Sequence, residues 1–259
     1  MLQDLTNISV EFVDATAVVT MRRPEKRNAL SLAMMRELEE ALRTLADDTS
    51  MRTIVIAAEG PAFSSGHDLR ELHGRDEQAY QEIFEACVRL MSAVGGAPQP
   101  VIAEVQALAT AAGCQLVAAC DLAVASESAR FATPGVRIGL FCSTPMVALS
   151  RSIGRKRAMQ MLLTGEPIDA RTALDWGLVN AVVSQGQLRT ATLDLAASIG
   201  RASRRVIGIG KEAFYRQIDL PLEQAYAYTK DVMVLNAQLP DAHEGIGAFL
   251  AKRPPNWPA

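Results

Sequence analysis

Aromatic residues make up only 5 % of this 259-residue chain, and histidine occurs three times. The formal net charge is −3, with the lysines and arginines scattered. Nucleic acid is therefore not an expected partner, because binding it takes a basic field, often with stacking aromatics. No apolar run approaches the roughly 20 residues of a membrane span, so no membrane partner is expected. Four cysteines, Cys87, Cys114, Cys120 and Cys142, form no CxxC pair. Free thiols in a reducing compartment are expected rather than a disulfide or zinc framework. The opening MLQDLTNISVEF has neither the charged-then-apolar pattern of a secretory signal nor an Arg-rich amphipathic one, and a cytoplasmic location is the resulting expectation. With 49 % hydrophobic and 21 % charged residues the chain is globular rather than disordered.

What is present alternates between strand and helix. Ile8–Val13 and residues 17–21 read as a β-hairpin turning at Asp14-Ala15. A charged loop over residues 22–28 leads to Ser31, placed to cap a helix with Leu32, Met35, Leu38, Leu42 and Leu45 on one face. Thr53–Ala58, Val101–Val105 and residues 121–125 read as buried strands. The helical stretches between them, residues 76–94 among these, are long enough for crossovers, so a mainly parallel sheet is expected. Residues 131–145 read as irregular, and everything from Arg155 onward as helical, ending in a short extended tail. The fold class is α/β.

Two small-residue turns each follow a buried strand: Ser65-Gly66-His67, and Ala111-Ala112-Gly113 at the start of an apolar helix. Small side chains let a carbonyl approach the backbone, and the first turn of a helix carries unpaired N–H groups at the positive end of its dipole. Two readings stay open: packing turns beneath core helices, or two halves of an oxyanion hole aimed at one carbonyl oxygen. Other chemistry finds less support. Gly208-Ile209-Gly210-Lys211 lacks the first glycine and the Ser/Thr of a phosphate loop and reads as helix interior. No GxSxG elbow surrounds Ser64 or Ser65. His67, Asp68, Glu71 and His73 lack metal-ligand spacing, so no metal is expected. His243 reads as solvated.

RRPEKRNALS, GPAFSSGHDLREL, ALATAAGCQLVAACDLAVAS and EGIGAFLAKRPPNW, in this order over residues 8–257, resemble the crotonase, or enoyl-CoA hydratase/isomerase, family. FSSGHDL, ATAAGCQL and FATPGVRIGLFCSTP resemble, more narrowly, its enoyl-CoA hydratase domain-containing protein 3 subgroup. The resemblance implies a crotonase-type ββα spiral core over residues 1–200 and a C-terminal helical trimerisation region over residues 201–259. It implies a homotrimer or a dimer of trimers, and an acyl-CoA or enoyl-CoA thioester as partner. CoA is then part of the substrate and no separate cofactor is expected. Carried over residue by residue, the backbone N–H groups of His67 and Ala112 form the oxyanion hole. Lys26 and Arg27 meet the CoA phosphates, and adenine packs near the backbone of Ser64 and Gly66. Phe249 and Lys252 reach the CoA of a neighbouring subunit.

The chain departs from the family where its hydratases place two glutamates to activate water. The first position is Gln115, and the second, after Pro134, is Gly135. Gln takes no proton at neutral pH and Gly has no side chain, so the general acid–base pair is missing. His67 belongs to a suitable pKa class, with the direction of its side chain open. Asp68 is expected to cap the following helix and Glu71 to lie at the surface. Cys114, Cys142 and Ser143 are nucleophile candidates without a visible histidine partner, and a buried structural cysteine is the commoner case. The expected function is that of an enoyl-CoA hydratase-like protein stabilising a thioester enolate, with efficient simple hydration not expected. A non-catalytic acyl-CoA-binding pseudoenzyme, or a CoA-thioester hydrolase or decarboxylase, are the alternatives.

Overall fold

The computed structural model describes residues 5–257. Residues 1–4, where the reading for a leader begins, and residues 258–259, the end of the expected C-terminal region, lie outside the described residues.

The expected hairpin forms from β1 (Ile8–Val13) and β2 (Thr16–Met21), antiparallel, with Asp14 at φ +51° in its turn. Next comes α1 (Leu32–Asp47), capped as expected: Ser31 Oγ accepts from Met34 N at 3.2 Å. Its inner face buries Met34, Met35, Leu38, Ala41, Leu42 and Leu45. Each large apolar side chain fully buried contributes about 1.5–3 kcal/mol, so packing of this face, more than helix propensity, holds α1 in place.

Three ββα units follow. The first is β3 (Thr53–Ala58), β4 (Ala62–Ser64) and the helices α2 (Leu69–Leu72) and α3 (Glu77–Gly96). The second is β5 (Val101–Val105), β6 (Leu108–Thr110) and α4 (Ala112–Ala119). The third is β7 (Leu122–Ser126), β8 (Arg130–Ala132), a 3-10 turn over Pro134–Ile138 and α5 (Pro145–Ser152). The remainder is α6 (Arg155–Thr164), β9 (Ile168–Asp169), α7 (Ala170–Trp176), β10 (Ala181–Val183), α8 (Leu188–Gly200), α9 (Arg204–Gln217), α10 (Leu222–Ala237) and α11 (Pro240–Leu250). In each unit the first strand joins a six-stranded sheet of order β1-β2-β3-β5-β7-β10, parallel from β2 onward. The second strand joins a smaller sheet of order β4-β6-β8-β9, in which β4, β6 and β8 run parallel.

Three expectations need correction. Residues 131–145 are not simply irregular: they begin inside β8 and end at the start of α5. Proline suits the first turn of a helix, where its missing N–H would have no partner in any case. The chain after Arg155 is not all helical, because β9 and β10 lie within it. Strands of two or three residues are too short to show alternation. Asp121 is not in the strand that follows it: its Oδ2 accepts from Val101 N at 2.7 Å and Lys211 Nζ at 2.6 Å, and its Oδ1 from Tyr215 OH at 2.8 Å. Lys211 also donates to the Val94 and Gln99 carbonyls, so this buried pair fastens α9 to the core.

Beyond α9 the helices leave large apolar side chains uncovered, among them Leu222, Tyr226, Met233, Leu235, Phe249 and Leu250. The tail turns back on α11, where Arg253 and Asn256 N bind Glu244, and Trp257 Nε1 donates to Arg201 O at 2.7 Å. Among the described residues no helix is long and apolar enough to cross a membrane.

Candidate functional site

The carboxyl ends of neighbouring parallel strands lie side by side, and the segments leaving them can share one site. In the smaller sheet Ser64 pairs with Ala109, Ala109 with Phe131 and Thr110 with Ala132. Three segments therefore emerge together: Ser65-Gly66-His67 after β4, Ala111-Ala112 after β6, and Thr133-Pro134-Gly135 after β8. All three contribute to the wall of a cavity of about 540 Å³, completed by Leu69, Leu72, Phe84, Ile138, Leu140 and Phe141 with their neighbours. That size and apolar lining are typical of a small-molecule site.

The first two turns touch. A methyl group on Gly66 (φ +85°) would lie 2.8 Å from Ala111 Cβ and 3.2 Å from Ala112 N, and one on Gly113 would lie 2.6 Å from the Ser64 carbonyl oxygen. Thr110 Oγ1 adds a hydrogen bond to Ser65 O at 3.0 Å. Between the glycines, Ala111 is held at φ +49°, ψ −120°, a left-handed conformation costing a non-glycine residue about 1–3 kcal/mol. Its N–H donates to Ala132 O at 2.9 Å, and the next residue, Ala112, opens α4. Neither the His67 N–H nor the Ala112 N–H donates a hydrogen bond among the described residues. Two adjacent unpaired donors, one at a helix N-terminus, can stabilise negative charge on an oxygen.

The charged loop is stitched to the first turn. Ser65 N donates to Arg27 O at 3.0 Å, Ser64 Oγ to Asn28 O at 2.8 Å, and Leu30 N to Gly66 O at 2.8 Å. Arg22 and Arg23 are paired with Glu59 and Glu25, whereas Lys26 and Arg27 make no ion pair among the described residues. Ser64 is fully buried with its hydroxyl used by the loop, and it is Ser65, not Ser64 or Gly66, that faces the cavity. Phe249 and Lys252 are exposed at the end of α11, away from the cavity wall.

Gln115 is buried behind the wall and accepts a hydrogen bond from the Cys87 thiol at 3.7 Å. Gly135 does face the cavity, but a methyl group there would lie 2.0 Å from Leu140 O and 2.8 Å from Cys142 Sγ. The loop over residues 139–142 thus packs directly onto the backbone at 135. Among the described residues no aspartate or glutamate lines the cavity. Asp68 caps α2 as expected, accepting from Arg70 N at 3.0 Å. Glu71, expected at the surface, is instead half-buried and accepts from Leu32 N at 2.8 Å at the start of α1. Cys114 lies outside the wall, its thiol pushed up to about 12 by burial. Cys142 and Ser143 line the cavity, and burial raises the Cys142 thiol as well.

His67 contributes to the cavity wall, its ring lies edge-on to Phe84 with centroids 5.5 Å apart, and both ring nitrogens are buried without a hydrogen-bond partner among the described residues. Burial lowers its pKa below the ordinary 6.5, with the Leu30 backbone opposing. Sequence reasoning missed Leu69, Leu72 and Phe84 as wall residues, because on amphipathic helices they are indistinguishable from ordinary core positions. It also missed Arg137, whose Nε donates to Thr164 O at 3.2 Å and whose guanidinium pairs with Glu166.

The family described as enoyl-CoA hydratase/isomerase matches residues 11–259. Human "Enoyl-CoA hydratase domain-containing protein 3, mitochondrial" is 50 % identical over 252 residues, which cover 96 % of this chain and 82 % of that protein. The crystal structure of human enoyl-CoA hydratase domain-containing protein 3 superposes with a TM-score of 0.95 at 48 % identity, covering 97 % of this chain and 100 % of that one. A Mycobacterium smegmatis enoyl-CoA hydratase gives a TM-score of 0.95 at 46 % identity, covering 97 % and 99 %. The expectation of a cytoplasmic protein is overturned here: the human relative and its frog and mouse counterparts are named mitochondrial.

Proposed function

Because the chain belongs to the enoyl-CoA hydratase/isomerase family, we propose that it binds an acyl-CoA thioester and stabilises the thioester enolate without the two-glutamate water chemistry of the family's hydratases. The observation that carries this reading is the pair of unpartnered N–H groups, His67 and Ala112, on two touching turns at an apolar cavity. The thioester oxygen sits between them. Charge on that oxygen grows as the enolate forms, so fixed donors favour the enolate over the ground state. Lys26 and Arg27 take the CoA phosphates by charge and hydrogen bonding, and the adenine lies against the backbone at residues 64–66. A wall without a carboxylate offers water no strong general base, and the same observation supports a second reading, a pseudoenzyme that holds the thioester without turnover.

Residues 201–259 serve in this proposal as a helical oligomerisation region, in a homotrimer or a dimer of trimers. The uncovered apolar side chains of α10 and α11 support it. Phe249 and Lys252, free at the end of α11, reach the CoA of a neighbouring subunit.

The test is titration calorimetry with octanoyl-CoA on the parent and on Lys26→Ala with Arg27→Ala, beside mass spectrometry of enoyl-CoA incubated with the parent. Expected are binding by the parent, affinity about 10-fold or more weaker in the double variant, and little hydration. Unchanged affinity, or rapid hydration of a simple enoyl-CoA, refutes the assignment.

A further inference from the structure

A second space lies against the first. On the outer side of α3 a groove of about 570 Å³ is lined by Glu77, Tyr80, Gln81, Glu85, Val88 and Arg89, together with Phe84. Phe84 also belongs to the wall of the apolar cavity, and among the described residues it is the one side chain common to both walls. The partition between cavity and groove is therefore one residue thick at this point. Elsewhere the wall is backed by packed protein: at residue 135 a methyl group would already meet the Leu140 carbonyl at 2.0 Å. Phe84 has no such backing. The deep face of α3 is made by Ile83, Ala86, Cys87, Leu90 and Val94, whereas Phe84 is only half-buried. Tyr80 and Val88 stand one turn before and after it on the same side of the helix. They continue the apolar lining outward from the ring, and the long polar side chains around them can lay their aliphatic stems along an alkyl chain.

We propose that Phe84 determines which acyl chain lengths this protein accepts, closing the α3 side of the cavity to short and medium chains and separating longer ones from the groove. This role rests on the thioester-binding reading above. With the thioester oxygen at the His67 and Ala112 N–H groups, the acyl chain lies among Leu69, Leu72, Phe84, Ile138, Leu140 and Phe141. Methylenes that fit within the cavity are removed from water, and each one buried raises affinity about 4-fold. Those that do not fit gain nothing while the Phe84 ring stands between them and the apolar strip of Tyr80 and Val88. The ring is held edge-on to His67, which fixes the partition close to the thioester end of the site. Replacing the ring by a methyl group joins the two spaces, and the added length of a long chain then meets Tyr80 and Val88 instead of water.

Titration calorimetry with octanoyl-CoA and dodecanoyl-CoA tests this, read as the ratio of the two affinities so that a general loss of binding cancels. Phe84→Ala should raise the dodecanoyl-to-octanoyl ratio about 10-fold or more over the parent, as two or more further buried methylenes require. Phe84→Trp, which enlarges the partition, should leave the ratio at or below the parental value. Phe84→Leu, a milder change, should move it in the same direction as alanine and by less; it decides the matter if the alanine variant does not fold. A side chain that serves only to pack α3 would weaken both ligands alike. A parental ratio in folded Phe84→Ala or Phe84→Leu thus overturns the role of Phe84 while the binding reading stands, as does a ratio raised equally by tryptophan. Absence of binding of either thioester by the parent overturns both.

Discussion

Glutamates placed at the two residues that the resemblance sets against the hydratases' pair, Gln115→Glu with Gly135→Glu, should destabilise the protein without making it a hydratase. At residue 135 the new Cβ would sit 2.0 Å from Leu140 O and 2.8 Å from Cys142 Sγ. Leu140 N is itself bonded to Gly135 O at 3.0 Å, so the obstruction is backbone fixed to backbone, not the free end of a side chain. Relief requires the loop over residues 139–142 to move, and overpacking of this kind costs about 1–3 kcal/mol. At residue 115 a carboxylate would replace an amide that is 5 % exposed and has the Cys87 thiol as its neighbour. A carboxylate there either stays protonated, losing its use as a base, or adds the cost of a buried, unpaired charge. Counting the steric part alone, with about 2–4 °C of melting temperature per kcal/mol for chains near this size, the double variant should melt about 2–12 °C below the parent. Gly135→Ala, which adds only the methyl group, should reproduce most of that fall. Scanning calorimetry and the loss of enoyl-thioester absorbance are the assays. A double variant that melts with the parent and hydrates enoyl-CoA refutes the argument that the loop over residues 139–142 leaves no room for a side chain at residue 135.

Lys211→Met removes the cation from a pair whose side chains are 7 % and 15 % exposed. It should cost about 3–5 kcal/mol, the usual effect of stranding one partner of a buried pair, and a loss under about 1 kcal/mol in denaturant titration would refute the fastening role given to it. Since the folded-state pKa of His67 is depressed by burial, its contribution is complete above about pH 6.5, the unfolded value, and is lost as pH falls through the folded value, by at most about 1.4 kcal/mol per pH unit. Thermal melts of the parent and His67→Gln between about pH 4.5 and 7.5 should therefore show the parent falling relative to the variant on the acid side, and parallel pH profiles would refute it.

The parts of this fold readable from the sequence are those with enough residues to show a period or a cap. The six-residue strands β1 and β3 and the helix α1 with Ser31 at its head fall in this class. The smaller sheet does not, since β4, β6 and β8 have three residues each, yet it is this sheet that brings His67, Ala112 and Gly135 to one cavity. The two turns drew notice for their small residues, but their contact depends on strand order, which local patterns do not encode. Lys211 shows the same limit. Its place in a helix was legible, whereas its partner Asp121 lies 90 residues away and only tertiary packing brings them together. That neither residue 115 nor residue 135 is a carboxylate was legible. That one amide turns to Cys87 and that the other site is filled by the Leu140 carbonyl was not.

The strain in the site is placed where the donors are. Ala111 keeps φ +49°, although only a glycine adopts that region without cost. Such a conformation persists when the surroundings fix it, and here they do so from several directions: the Ala132 carbonyl takes the Ala111 N–H, and Gly66 packs against Ala111 Cβ and Ala112 N. Relaxing Ala111 would turn the peptide that carries the Ala112 N–H, so the strain and the donor geometry are one feature. At Gly135 the chain does the opposite, using the missing side chain to pack a loop against backbone. A site shaped to add water would leave room there for a base. The two unpaired N–H groups and the apolar wall, which the proposed polarisation of a thioester carbonyl would use, are the parts that the packing holds in place.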